Sequence, residues 1–278
     1  MYQLFQDTIR GCLRRYLIFT LIALVFVTSL CFTKGSDAQE KDFPFHSGEK
    51  LVFEARWGVI PAGEAVIEVL KEQEINGVRC RHFAISLKTY PFIDIFYKVR
   101  DTIDSYTDME MTHSVLYKEK KRGKRKKDVV INMDWEKKQA VYSKNGKIKK
   151  TISILPGSFD PLSVFFAFRI HELKKGLNIN ISVTDGKKCV NGVARVIKRE
   201  KIKVNGKIYD TYLVEPDLEH IKGVFEKSKN AKLQLWVTAD KYQMLVRVKS
   251  KVIIGSFVGD LISVEGIGEK KQKTTLPE

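Results

Sequence analysis

The chain has 278 residues and a formal charge of +16. Its five scattered histidines and four cysteines, with no Cys-x-x-Cys pair, exclude the usual zinc spacings and imply no cofactor. The cationic excess suits anionic surfaces such as phospholipid, lipopolysaccharide or acidic polysaccharide, and on charge alone it suits nucleic acid equally well.

The first element of the chain decides between these partners. Arg10, Arg14 and Arg15 precede an apolar run from Tyr16 to Phe32, and a polar stretch from Lys34 to Glu40 follows. A positive flank, an apolar core and a small-residue cleavage site constitute a secretory signal. Ser36 and Ala38 occupy the positions a signal peptidase reads, so cleavage after Ala38 is one outcome. The run is at the short end for a spanning helix, so an uncleaved anchor with its arginines in the cytoplasm is a second. Lipid attachment at Cys31 is a third, with Leu30 where a lipoprotein signal normally has a small residue. All three export the rest of the chain, to the periplasm or the outer side of the inner membrane, away from ATP, most cofactors and nucleic acid. Residues 1–38 are thus read as signal or anchor, 45–266 as one β-rich domain and 267–278 as a polar tail. The first 38 residues carry four cations and two carboxylates, so the remainder keeps +14.

Beyond the signal, Asn76-Gly77, Asn145-Gly146, Asp185-Gly186, Asn191-Gly192 and Asn205-Gly206 recur between segments rich in Val, Ile, Tyr and Phe. Asn-Gly and Asp-Gly supply the positive φ angles that tight hairpins need. The flanking segments alternate, as in Leu51, Phe53, Ala55 and Trp57 against Glu54 and Arg56. Some fourteen strands are readable in this way between Leu51 and Glu265, and so many antiparallel strands close or fold over to hide their edges. Cys80 and Cys189 are left outside the signal, either as a disulfide that an oxidising compartment permits or as two half-buried thiols.

Two segments break the β rhythm. Asp160-Pro161 followed by Leu162–Leu173 and Gly176 carries an N-cap, a proline at the first helical position and a glycine stop, which predicts a short helix over about 160–174. A weaker helical turn is predicted at Tyr90–Tyr97. The fold class is therefore all-β, a curved antiparallel sheet or open barrel with one short internal helix. Phe92, Phe96, Phe165, Phe166 and Phe168 are read either as core or as the lining of an apolar cavity. Arg169 faces either a sheet carboxylate or an anionic head group at the cavity mouth.

Several motifs in fixed order now carry a resemblance. They are Gly48–Glu54, the turn Gly58–Gly63, Val99–Ser105 with Asp108, Phe159–Arg169, Leu235–Asp240, and Gly255–Phe257 with Leu261. Together these resemble the bacterial domain-of-unknown-function 3108 family, a group of exported or envelope proteins, over roughly Phe45 to Glu265. The family often has a proline after the Trp-x-Thr-x-Asp stretch, where this chain has Met244-Leu245-Val246. The resemblance implies a β-rich envelope protein and supplies no reaction.

The densest charge run comprises Lys118, Lys120, Lys121, Arg122, Lys124, Arg125, Lys126 and Lys127 around Gly123. It is expected to form a hairpin tip projecting its cations into solvent, either to meet anionic lipid or merely to keep the protein soluble. Asp101, Asp104 and Asp108 invite a catalytic or calcium reading, but Asp101 and Asp104 fall on opposite strand faces and do not converge without a bulge or bend. His82, His113, His171 and His220 have no nucleophile in a recognisable setting, and Ser158 and Ser163 lack the Gly-x-Ser-x-Gly elbow. The leading expectation is a non-catalytic binder of an amphipathic or anionic envelope molecule, lipid or polysaccharide. A scaffold contacting another envelope protein through a strand edge comes second, and an enzyme third.

Overall fold

Asn76-Gly77, Asn145-Gly146 and Asn205-Gly206 hold both residues at positive φ, between 45° and 79°, the backbone of a two-residue hairpin turn. The computed structural model describes residues 42–123, 126–217, 232–251 and 256–267. The signal or anchor segment with Cys31 and Ala38, Lys124, Arg125, His220 and the tail beyond Ile267 lie outside the described residues. No helix among the described residues is long and apolar enough to cross a membrane.

In chain order the elements are β1 (Lys50–Trp57), β2 (Ile60–Ile75), β3 (Val78–Thr89), α1 (Pro91–Tyr97), β4 (Arg100–Asp108), β5 (Ser114–Arg122), β6 (Lys126–Asp134), β7 (Gln139–Lys144) and β8 (Lys147–Ser153). After α2 (Ser163–Arg169) come β9 (Asn178–Thr184), β10 (Cys189–Val204), β11 (Lys207–Pro216), β12 (Lys232–Thr238), β13 (Leu245–Lys251) and β14 (Ser256–Glu265). Among the described residues these fourteen strands form one antiparallel sheet in the order β8-β7-β6-β5-β4-β3-β2-β1-β14-β13-β12-β11-β10-β9. From β1, in the middle of the sheet, the strands meander out to β8. The chain crosses over through α2, re-enters at the opposite edge as β9, and returns until β14 pairs with β1. The predicted curved, open sheet with one internal helix is what forms.

An open sheet has two edges to protect. The segment after β8 covers the C-terminal end of one of them, β9: Phe159 bridges Val183 in parallel, its N–H donating to the Ser182 carbonyl and its own carbonyl accepting from Thr184, both at 2.8 Å. The other edge, β8, is exposed along most of its length and carries Lys147, Lys149 and Lys150. Charged edge residues oppose pairing with a further strand.

The concave face holds two apolar clusters that meet at α2. Phe166 and Ala167 belong to one, with Phe45, Phe83 and Ile131. Phe168 belongs to the other, with Leu51, Val196 and Val237. Phe83 and Phe166 stack with ring centroids 3.9 Å apart. Asp160 starts the helical segment as predicted, one carboxylate oxygen accepting the Leu162 and Ser163 N–H groups at 2.8 and 3.0 Å. The regular helix is shorter than the expected 160–174. The N–H groups of Ile170 and His171 bond three residues back, to Ala167 and Phe168, which tightens the last turn. Gly176 and Leu177 then pair with the backbone of Val196, so sheet hydrogen bonding ends the helical path.

Two further expectations meet the structure differently. Asn191-Gly192 is not a turn, because Asp185-Gly186 already closes the β9–β10 hairpin and places Asn191 within β10 opposite Ser182. Cys80 and Cys189 are free thiols, the second of the two readings. Cys80 is fully buried beside Tyr106 and Leu116, and burial, then the Asp108 charge, pushes its pKa up to about 11. Alkylation at pH 8 with peptide mapping should therefore modify half-buried Cys189 first and Cys80 only on unfolding. Equal rates at the two sites would contradict this packing.

Candidate functional site

Because neighbouring strands are antiparallel, the β1–β2 turn, the β3–α1–β4 connection, the β5–β6 and β7–β8 tips and the β9–β10 turn share one end of the sheet, the upper rim. The concave face encloses a cavity of about 420 Å³ that reaches from α2 towards this rim. Its walls are apolar: Ile67 and Ile85 from the centre of the sheet, Val129 and Ile131 from β6, and Ile179, Ile181 and Val183 from β9, with Phe165 and Phe168 of α2. Cavities of roughly 300–1,000 Å³ lined in this way and closed by a few polar groups are the usual form of small-molecule sites.

The polar groups stand at the upper end. Glu119, Lys121 and Lys127 line it from β5 and β6, and Asp185 and Lys187 from the β9–β10 turn. Glu119 is nearly buried and pairs with Lys121 at 2.9 Å and Lys127 at 3.3 Å. Asp185 accepts the N–H groups of Lys187 and Lys188 at 2.9 and 3.0 Å, which shapes the turn. Lys187 lies over the Tyr142 ring, its ammonium 5.3 Å from the centroid. Tyr117 lines the wall, and burial, reinforced by the nearby Glu119 charge, raises its pKa, so its phenol stays neutral. The mouth thus sets three ammonium groups against two carboxylates above an apolar chamber.

The predicted site residues divide. Phe165 and Phe168 line the cavity. Phe166 does not, because it is fully buried between Phe45 and Phe83. Arg169 takes the carboxylate option rather than the head-group one. Fully buried, it donates to both oxygens of Glu49, at 2.5 and 3.0 Å. Phe92 and Phe96 belong to α1, which buries none of its residues; they are 53% and 71% exposed and are not among the residues that line the cavity. Their lining role is withdrawn.

The basic run does not project as one tip. It divides over β5 and β6, whose side chains alternate between faces. Lys121 and Lys127 turn towards Glu119, Lys118 lies over the Tyr106 ring and Arg122 pairs with Asp128 at 2.5 Å. Lys120 and Lys126 remain exposed.

The other polar candidates lie elsewhere. Arg100 pairs with Asp94 of α1 at 2.6 Å rather than with its neighbour Asp101. His82 meets Asp104 at 2.8 Å and stacks on Tyr106. Asp108 accepts the Thr112 and His113 N–H groups at 2.7 and 3.0 Å and caps the turn at the lower rim. None of these groups lines the cavity. Glu119 and Lys187 were not anticipated. The signal for Glu119 was present in Tyr117-x-Glu119-x-Lys121, a period-two row placing charge on an otherwise buried face.

Comparison with solved structures finds a β-barrel-like protein of the domain of unknown function DUF1849 from Brucella abortus. It has a TM-score of 0.51 and 9% identity, over 78% of this chain and 97% of the other. At that identity the likeness concerns the fold alone. A looser match, to a candidate lipoprotein from Parabacteroides distasonis, has a TM-score of 0.33 and 11% identity over 80% of this chain and 97% of the other. Comparison with curated proteins finds no match. The family model described as protein of unknown function (DUF3108) matches residues 52–262. With its strands, its Phe159–Arg169 crossover and its long match, the chain belongs to the DUF3108 family.

Proposed function

We propose that this is a non-catalytic exported envelope protein that holds an amphipathic anionic molecule, with an apolar chain in the cavity and an acidic head group at the lysine-bearing mouth. The single observation that supports this reading is the combination of an apolar chamber of about 420 Å³ with Lys121, Lys127 and Lys187 at its open end. An acidic head would meet Lys187 and share Lys121 and Lys127 with Glu119, since each ammonium group carries three donors. A polysaccharide, hydrated along its length, fits these walls less well than a lipid chain does. The strand-edge scaffold has less support, because the Phe159 bridge occupies part of one edge and the other is studded with lysines.

The test is to purify the full chain, extract it with organic solvent and identify lipids by mass spectrometry. A near-stoichiometric lipid with an acidic head is expected. Ala194→Phe, which adds a ring to the wall, should lower its yield at least tenfold while leaving the β-sheet circular dichroism unchanged. Extracts without lipid, together with no uptake of a fluorescent fatty acid, would exclude the proposal.

A further inference from the structure

The upper rim exposes apolar surface to a degree the rest of the domain does not. The three most exposed large apolar residues among those described are Val59 at 92%, Ile95 at 79% and Phe96 at 71%. Val59 sits in the β1–β2 turn and the other two in α1, which also presents Phe92 and Tyr97. Single exposed apolar residues are ordinary, but Phe92, Ile95, Phe96 and Tyr97 exposed together on one short helix mark an interaction surface.

This helix is held in place without being buried. Asp94 within it accepts from Arg100 at 2.6 and 3.1 Å and from the Thr89 hydroxyl. Tyr90 N–H donates to the Ala62 carbonyl at 3.1 Å, joining the start of the helix to β2. These polar ties fix the element on its base while its apolar side chains point outward.

Cations gather at its C-terminal end, while Glu54 and Glu64 lie near Tyr90 at its start. Lys98 follows the helix directly, and the β5–β6 tip lies against that end so closely that a Cβ on Gly123 would collide with the Lys98 carbonyl. Lys98, Lys121, Lys126, Lys127 and Lys144, with Asp101 as the one carboxylate, line a polar depression of about 550 Å³ beside the helix. Lys121 and Lys127 also line the cavity mouth, so the cationic depression at the end of the helix and the mouth adjoin.

Outward aromatic and aliphatic side chains with a lysine cluster at one end match the chemistry of a bilayer interface, apolar tips entering the acyl boundary and ammonium groups meeting phosphates. We infer that the upper rim is a docking surface for an anionic phospholipid bilayer, with α1 and Val59 as the inserted element. Docked in this way, the cavity opens onto the membrane. The inference goes beyond the binding reading and does not require the cavity to be filled.

The experiment uses the full chain carrying Phe96→Trp, mixed with vesicles of phosphatidylglycerol and phosphatidylcholine whose acyl chains are brominated. An indole at this position reports on α1 itself, whatever residues 16–32 do in the same vesicles. Compared with the parent chain, the variant should show extra blue-shifted emission that bromine quenches on anionic vesicles and not on pure phosphatidylcholine. Lys98→Gln, Lys126→Gln and Lys144→Gln, at about fivefold per cation, should together raise the lipid concentration for half-maximal quenching on the order of 100-fold. No added quenching in Phe96→Trp or, as an alternative reporter, Ile95→Trp overturns the inference. A blue shift without vesicles that grows with protein concentration also overturns it, since a second copy would then cover the helix. Lipid extraction reads the cavity separately, so the two ideas can fail independently.

Discussion

Replacing Arg169 with methionine should remove about 3–5 kcal/mol of folding stability, the cost of leaving one member of a buried ion pair alone. Arg169 is the largest fully buried side chain among the described residues, and Glu49 is 2% exposed. The guanidinium also donates to the Pro44 and Tyr242 carbonyls at 3.1 and 2.8 Å and lies 5.3 Å from the Phe45 ring centroid. It therefore ties together the entry to β1, the end of α2 and the β12–β13 turn. Methionine fills much of the volume and supplies none of the donors, which strands the Glu49 carboxylate and two carbonyls. Urea unfolding of Arg169→Met, Glu49→Leu and the double variant separates the contributions. The double variant should be more stable than the sum of the single losses predicts, by about 2 kcal/mol or more. Strict additivity would mean that the pair contributes no coupling.

Asp160→Ala should cost more than about 3 kcal/mol, because several buried donors lose their acceptor at once. The carboxylate is fully buried and accepts from the hydroxyls of Ser105, Ser114 and Ser163 at 2.6, 2.8 and 2.7 Å, in addition to the two backbone N–H groups of the helix start. It joins β4, β5 and the crossover segment in one polar knot within an apolar interior. Asp160→Asn keeps an acceptor for the helix start and should lose roughly 1–2 kcal/mol less, since the serine hydroxyls can rotate towards its amide. Thermal unfolding of the two variants checks the order. An alanine variant as stable as the asparagine one would show that the cap and the serine network contribute little.

What the sequence disclosed was local. Asn76-Gly77, Asn145-Gly146 and Asn205-Gly206 were legible because few other residues accept positive φ in succession. Asp160-Pro161 was legible because a cap and a proline act on the next turn alone. Asn191-Gly192 carried the same signal and misled, because Asp185-Gly186 had already closed that hairpin and the strand register overrode the propensity. The pairing of Arg169 with Glu49 joins residues 120 positions apart and depends on strand order, which no periodicity encodes. Phe92 and Phe96 show the other limit. An apolar cluster on a short helix reads the same whether it faces a cavity or the outside, and only its exposure in the folded chain distinguishes the two.

The pairing of the first strand with the last has a consequence for how the domain is made. As the chain is synthesised from its N-terminus, β1 to β8 can assemble by neighbouring hairpins, but β1 keeps an unpaired edge until β14, the final strand, arrives. The largest closure in sequence is thus also the last in time. A topology with such distant contacts folds slowly. Throughout that interval half a sheet waits with its apolar face open and β1 ready to pair with a stranger. Truncations that remove β14 should therefore leave the β1 edge open and aggregate rather than fold to a smaller domain.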